Sequence, residues 1–142
     1  DTSGNFEAAK AGYEKILAKW PSDTVAANNL AALIADVWPE DAPALERARK
    51  LAERFRGSDN AVLLDTLGWA HYRNGQFAEA VSVLERVVAK SAQFPIFHYH
   101  LGMAYVATGN KVGAKQELKR AVDDAKSDYP GLEEARATLK TL

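Results

Sequence analysis

Leu64-Asp65-Thr66-Leu67-Gly68-Trp69-Ala70-His71 is answered 34 residues later by His98-Tyr99-His100-Leu101-Gly102-Met103-Ala104-Tyr105. The echo continues downstream, where Gly75 and Gly109, Ala80 and Ala114, and Leu84 and Leu118 keep the same 34-residue spacing. A looser copy stands upstream as Ala27-x-x-Leu30-Ala31-x-x-Ile34, followed by Ala48-x-x-x-Ala52. Before it lies an unpaired second half, Ala9-x-x-x-Tyr13, closed by Pro21. Each conserved size within this internal repeat has a physical reason. The small residue after Leu (Ala31, Gly68, Gly102) and the early alanine of the second half (Ala9, Ala48, Ala80, Ala114) fit where two helices approach closely. Gly75 and Gly109 supply a turn conformation that other residues reach only at a cost. The large apolar residues fill the space between neighbouring units, none of which can bury its stripe alone.

The reading is all-α: a solenoid of stacked antiparallel helix hairpins, taken as a single domain over 1–142. An orphan second helix is predicted over 5–19. Hairpins follow over 23–56 (helices 23–37 and 43–56), 60–90 (60–73 and 76–90) and 95–126 (95–107 and 110–126). A capping helix is predicted over 131–141, started after Pro130. Its stripe of Leu132, Ala135 and Leu139 suits the seal that the last unit of a solenoid needs. The period breaks once. Ala9 to Ala48 is 39 residues and Ala48 to Ala80 is 32. The surplus falls in Val37–Pro43, where two prolines forbid a continuous helix. The shortened join is Arg56-Gly57-Ser58-Asp59, read as a helix stop and a cap. The start at Asp1 and the unsealed N-terminal end predict the C-terminal piece of a longer repeat protein, able to self-associate through its uncapped end.

Composition narrows the function classes. The 142 residues carry 18 Lys and Arg against 19 Asp and Glu, a net charge of −1. A general nucleic-acid binder needs a basic face that displaces counterions, so no nucleic-acid partner is expected. No run approaches the roughly 20 apolar residues of a membrane span, so direct membrane insertion is not expected either. With no cysteine, disulfides, thiolate catalysis and Cys-based zinc sites are excluded.

The quoted residues resemble the tetratricopeptide repeat family, whose pattern is W-x₂-L-G-x₂-Y, then A-x₃-F, then P. The likeness implies a scaffold that holds a protein or peptide partner in a concave groove lined by the first helix of each hairpin. Carried over position by position, the inward residues are Val25, Asn28, Ala32 and Asp36 from the first hairpin. The second gives Val62, Asp65, Trp69, Tyr72 and Arg73, and the third gives Ile96, Tyr99 and Met103. Of these, Asn28, Ala32, Asp65, Trp69, Tyr72, Arg73, Tyr99 and Met103 form the expected peptide-binding set. The aromatic residues are its anchors, and Asn28 and Asp65 its contacts to an extended backbone. For Trp69 and Tyr72 the competing reading is packing against an adjacent repeat. The carboxylate clamp of chaperone-binding relatives is argued against: Ala32 stands at the matching partner position, the required cations are missing, and Asp65 would repel a carboxylate.

A narrower resemblance is carried by Asn28-Asn29-Leu30-Ala31, Leu64-Asp65-Thr66-Leu67-Gly68-Trp69 and Tyr99-His100-Leu101-Gly102. These runs are similar to the C-terminal part of bacterial tetratricopeptide lipoproteins associated with the PEP-CTERM/exosortase system and with exopolysaccharide biosynthesis. That likeness implies a periplasmic or outer-membrane-anchored scaffold; without it, a cytoplasmic one. The alternative function is a structural or self-association module with no peptide ligand.

Nothing in the pattern asks for catalysis, a metal or a cofactor. His98 and His100 are two apart and so diverge on a helix. His98 and His71 occupy packing positions of the repeat. Asp123-Asp124 and Glu133-Glu134 read as solvated helix faces, and Gly109-Asn110-Lys111 as a hairpin turn. No HExxH, Walker, GxGxxG or GxSxG pattern occurs.

Overall fold

The computed structural model describes residues 2–142, with side chains described from residue 4 onward. These form eight helices and, among the described residues, no strand: α1 (Thr2–Lys19), α2 (Thr24–Val37), α3 (Ala42–Glu53), α4 (Ala61–Arg73), α5 (Phe77–Lys90), α6 (Pro95–Thr108), α7 (Lys111–Asp123) and α8 (Leu132–Lys140).

The helix starts are set by side chains that satisfy orphan amides. Asp23 accepts from the Ala26 N–H, Asp41 from that of Ala44, Asn60 from those of Val62 and Leu63, and Asn110 from that of Gly113. Pro95 occupies the first turn of α6, where its missing N–H does no harm. Gly109 ends α6 in a left-handed conformation with φ 83°, which explains its recurrence at the repeat spacing. The join after α3 differs from the expectation. The helix ends at Glu53 rather than 56, because tight turns follow: Phe55 N–H donates to the Ala52 carbonyl and Arg56 N–H to that of Glu53. The cap of the next helix is Asn60; Ser58 instead accepts from the Asn60 amide at 3.0 Å. Likewise α7 ends at Asp123 rather than 126.

The hairpin crossings show why the small residues recur. A Cβ on Gly68 would lie 2.6 Å from the Leu84 side chain, and one on Gly102 2.7 Å from that of Leu118. Both would collide. In the first hairpin the residue at the Leu84 register is Ala52, and there the helix tolerates Ala31 in place of glycine. Ala48, Ala80 and Ala114 are buried at the same crossings.

Stacking arranges the helices in two rows. The backbones of α2, α4, α6 and α8 approach one another in succession, whereas no two of α1, α3, α5 and α7 do so among the described residues. The inner row is therefore the shorter arc. The core draws on both rows. One cluster runs from Leu17 through Leu30, Leu51, Leu67 and Leu84 to Leu101. A second gathers Ala35, Trp69, Tyr99, Met103, Leu118 and Ala135 beneath α8. Leu132 and Ala135 are buried, so α8 occupies the place of a further first helix and covers the last hairpin. No helix among the described residues is long and apolar enough to cross a membrane.

Candidate peptide-binding site

The inner row holds a cavity of about 260 Å³ lined by α2, α4 and α6. Asn28, Ala32 and Asp36 come from α2, and Val62, Asp65, Thr66 and Trp69 from α4. Phe94, Ile96, Phe97 and His100 come from α6 and the residue before it. Val62 and Phe94 form its open rim, 51% and 45% exposed. A larger and more open recess of about 690 Å³ lies elsewhere, at the loops around Pro21, Arg54 and Gly57. It contains one charged side chain, whose Nη1 is already bonded to the Pro21 carbonyl.

The polar floor of the inner cavity is strongly organised. His100 is 3% exposed, and its Nδ1 lies 2.8 and 2.9 Å from the two oxygens of Asp65. A carboxylate only accepts, so Nδ1 carries the proton. The imidazole stacks on Trp69, with ring centres 4.1 Å apart. The indole Nε1–H donates to Asp36 at 3.2 Å, and the Thr66 hydroxyl donates to Asn28 at 2.6 Å. Burial pushes the Asp36 carboxyl above the usual aspartate range, against the opposing pull of His100, the Trp69 bond and Arg73. His100 Nε2 is buried and has no hydrogen-bond partner among the described residues. An Asp–His pair of this kind also orients a general base. Here the Nε2 position is shut off from solvent, and the one hydroxyl in the lining, Thr66, is committed to Asn28 and to the Val62 carbonyl.

The expected binding set is split by the fold. Asn28, Ala32, Asp65 and Trp69 line the cavity, together with the inward positions Asp36, Val62 and Ile96. Tyr72, Arg73, Tyr99 and Met103 do not. The open anchor strip of Trp69, Tyr72 and Tyr99 is corrected: Trp69 and Tyr99 are each 2% exposed and belong to the core beneath α8. The inner helices pack closely enough that large rings on this side fill the seam between them. Tyr72 stacks on Trp69 at 4.5 Å. Arg73 lays its guanidinium 4.6 Å from the same ring and donates from Nε to the Ala35 carbonyl. Tyr99 is roofed by Gly131, whose φ of 104° and missing side chain admit the phenol; any Cβ there would overlap the ring. Met103 is buried in the same cluster. Asn28 and Asp65 are engaged within the protein rather than free for a peptide backbone. Val25 is 69% exposed and lies outside the cavity.

The cavity also brings in His100, Thr66, Phe94 and Phe97, which stand outside the expected set. For His100 a signal existed: it stands 34 residues after Thr66, at the same register position, and both line the cavity. The other histidines do as their packing positions imply, with polar partners added. His98 is held between Glu117 and the Ala92 carbonyl, and His71 between Gln76 on one nitrogen and Arg56 and Glu53 on the other. Among the described residues no group of three or more metal-ligating side chains converges.

Comparison with known proteins agrees with this architecture. Residues 66–130 match the family described as tetratricopeptide repeat. This match begins within α4 and runs through α5, α6 and α7, the stretch in which the 34-residue spacing is strict. Among solved structures, a crystal structure of MamA is 21% identical with a TM-score of 0.69, covering 99% of this chain and 78% of that one. A second MamA crystal structure is 21% identical with a TM-score of 0.68, covering 99% and 73%. MamA from Desulfovibrio magneticus RS-1, residues 41 to the end, is 19% identical with a TM-score of 0.58, covering 84% and 66%. At this identity the likeness is one of fold, an α-solenoid of stacked helix hairpins. No curated protein matches the chain.

Proposed function

We propose that the chain is a protein-interaction scaffold whose inner row holds an extended segment of a partner protein, without chemistry of its own. The observation that carries this reading is the cavity lined by three successive inner helices, with an apolar rim at Val62 and Phe94 over a polar floor. An apolar mouth with a few fixed polar groups is how binding sites combine affinity with orientation. Its setting, the assembly of a bacterial envelope sorting or exopolysaccharide system, rests on the narrower resemblance alone, and fractionation of the full-length protein tests that part separately.

A photo-crosslinking amino acid placed at Val62 on the inner face, and at Lys119 on the outer, tests the scaffold reading. Both positions are exposed. The reading requires partner adducts from position 62 and none above background from position 119. The reverse pattern would move the binding surface to the outer row. The competing module reading draws on Phe6 and Trp20, 40% and 54% exposed near the two ends of α1; adducts between copies of the chain would favour it.

A further inference from the structure

The inner cavity has a charge sign and an unmet hydrogen-bonding group, and together they specify a ligand. Its lining carries two carboxylates, Asp36 and Asp65, and no lysine or arginine. The formal charge of the lining is thus −2 with the imidazole neutral; the Arg73 charge felt at Asp36 offsets one of these, and the remaining −1 favours a cation. Arg73 is near but is not part of the lining, being tied to the Ala35 carbonyl and the Trp69 ring. Independently, His100 is almost fully buried and its Nε2 is unpartnered. With Nδ1–H fixed on Asp65, the neutral ring presents a lone pair at Nε2, which calls for a donor. Asp36 has matching spare capacity. Its Oδ1 takes the Trp69 indole, and its Oδ2 has no protein donor among the described residues.

We propose that this cavity is the subsite for an arginine side chain of the partner's extended segment, its guanidinium donating to Asp36 and His100 and its methylene stem lying against Val62 and Phe94. The proposal rests on the scaffold reading above and names the chemistry of what that scaffold holds. Arginine is specified over lysine because its planar fork carries several donors that serve a carboxylate and an imidazole together, whereas an ammonium is a compact, strongly hydrated point charge. The chain already makes this grouping once within itself: Arg56 Nη2 lies 3.2 Å from His71 Nε2 and 2.9 Å from Glu53. The exposed face of Phe94 adds a surface suited to a guanidinium or its stem. In the free protein Nε2 has no contact with solvent. The guanidinium therefore meets Asp36 first, and donates to Nε2 only once the side chains that cover that nitrogen have moved aside.

The test uses the whole chain and two probes. The first is a random-peptide library selected on the protein, with selected peptides resynthesised carrying citrulline, the neutral isostere, in place of each arginine. The second is N-acetyl-arginine amide, titrated against ¹⁵N-labelled protein and read at the His100 ring nitrogens and the Trp69 indole. The expected result is enrichment of one arginine position and a loss of about tenfold or more in affinity on its replacement by citrulline. A similar loss is expected on Asp36→Asn, which keeps the acceptor for Trp69. Binding should also be weakened by Phe94→Ala at the rim, and the free amide should shift the His100 and Trp69 signals. Asp65→Asn serves as a second carboxylate variant, with its fold checked by circular dichroism. Peptides that bind and are weakened by Phe94→Ala, yet show no arginine preference and no response to Asp36→Asn, would overturn the arginine assignment while leaving the scaffold reading intact. Selection of acidic peptides, or lysine serving as well as arginine, would also overturn it. If no peptide is sensitive to Phe94→Ala and the amide shifts neither signal, the cavity is not a binding site and both readings fail.

Discussion

Tyr99 illustrates how one residue's role is decided by a neighbour far along the chain. It stands at an inward position of the repeat, where a tyrosine is a natural ligand anchor, yet Gly131 closes over its ring. Its removal should therefore unsettle the fold rather than the binding surface alone. Truncating a buried aromatic ring costs about 3–5 kcal/mol, so Tyr99→Ala should lower the denaturation midpoint sharply. Gly131→Ala should also destabilise, because its φ of 104° and the ring above it both exclude a methyl group. The double variant Tyr99→Ala/Gly131→Ala should lose less than the sum of the two, since the first change vacates the space the second needs. Strict additivity in urea denaturation would show that the two residues do not touch.

Asp36 carries the opposite message. Its ionisation is disfavoured by burial, so its contribution to stability is lost as pH rises from the ordinary aspartate range through its raised value in the fold. Asp36→Asn should remove that loss while keeping the bond from Trp69. The variant should melt higher than the parent at pH 7, and the difference should shrink towards pH 3. A lower melting temperature at pH 7 would mean that the charge stabilises the free protein. A carboxylate kept in the cavity at a cost to stability is what a binding role predicts. Sequence alone placed Asp36 on the inner side, but nothing in it revealed the indole bond or the burial, which depend on how closely α2 and α4 pack.

At the scale of elements, His98 joins three pieces of chain. Its ring faces two acceptors, Glu117 on α7 and the Ala92 carbonyl before α6. Burial on its own would lower its pKa; the bonds to Glu117 and Ala92 and the Glu117 charge outweigh it, and the net shift is upward. A raised value in the fold gives stability that is complete below the unfolded pKa, about 6.5, and lost as pH climbs through the folded one. The melting temperature should fall as pH rises above about 6.5, and His98→Gln should flatten that fall. An equal slope in both proteins would assign the pH dependence to other groups.

The last element, α8, is the most directly testable. It buries Leu132 and Ala135 and covers Tyr99 and Leu118. Deleting residues 130–142 would return those side chains to water, at roughly 1.5–3 kcal/mol for each large one fully exposed. We expect a lower melting temperature and concentration-dependent aggregation by light scattering. An unchanged melt would show that α8 is not a cap. The stripe Leu132, Ala135 and Leu139 announced this role in the sequence, because amphipathicity on a short terminal helix has few other uses in a stack. The short join after α3 was less legible. Arg56-Gly57 looks like a helix stop, but the burial of Phe55 turns the chain three residues earlier.

At the scale of the whole molecule, the repeat was legible because the constraint behind it is local and geometric. Gly68 against Leu84 and Gly102 against Leu118 are the same collision avoided twice, and a spacing of 34 records it. The candidate site was only partly legible. Repeat position tells which residues point inward, and Asn28, Ala32, Asp65 and Trp69 do reach the cavity. It does not tell which inward residues the seam between helices absorbs, as with Trp69's buried ring, Tyr99 and Met103, nor that His100 and Asp65 meet across two hairpins. Those outcomes depend on how tightly the inner row closes.

The central claim is that this inner row holds the partner. It is tested most directly by mapping amide chemical-shift changes in the ¹⁵N-labelled chain as a peptide selected from the random library is titrated in. The account predicts that the largest changes cluster on α2, α4 and the start of α6, around Asn28, Val62, Thr66 and Phe94. Changes confined to α3, α5 and α7, or to α1, would contradict it and place the binding surface on the outer row or at the exposed end of the stack.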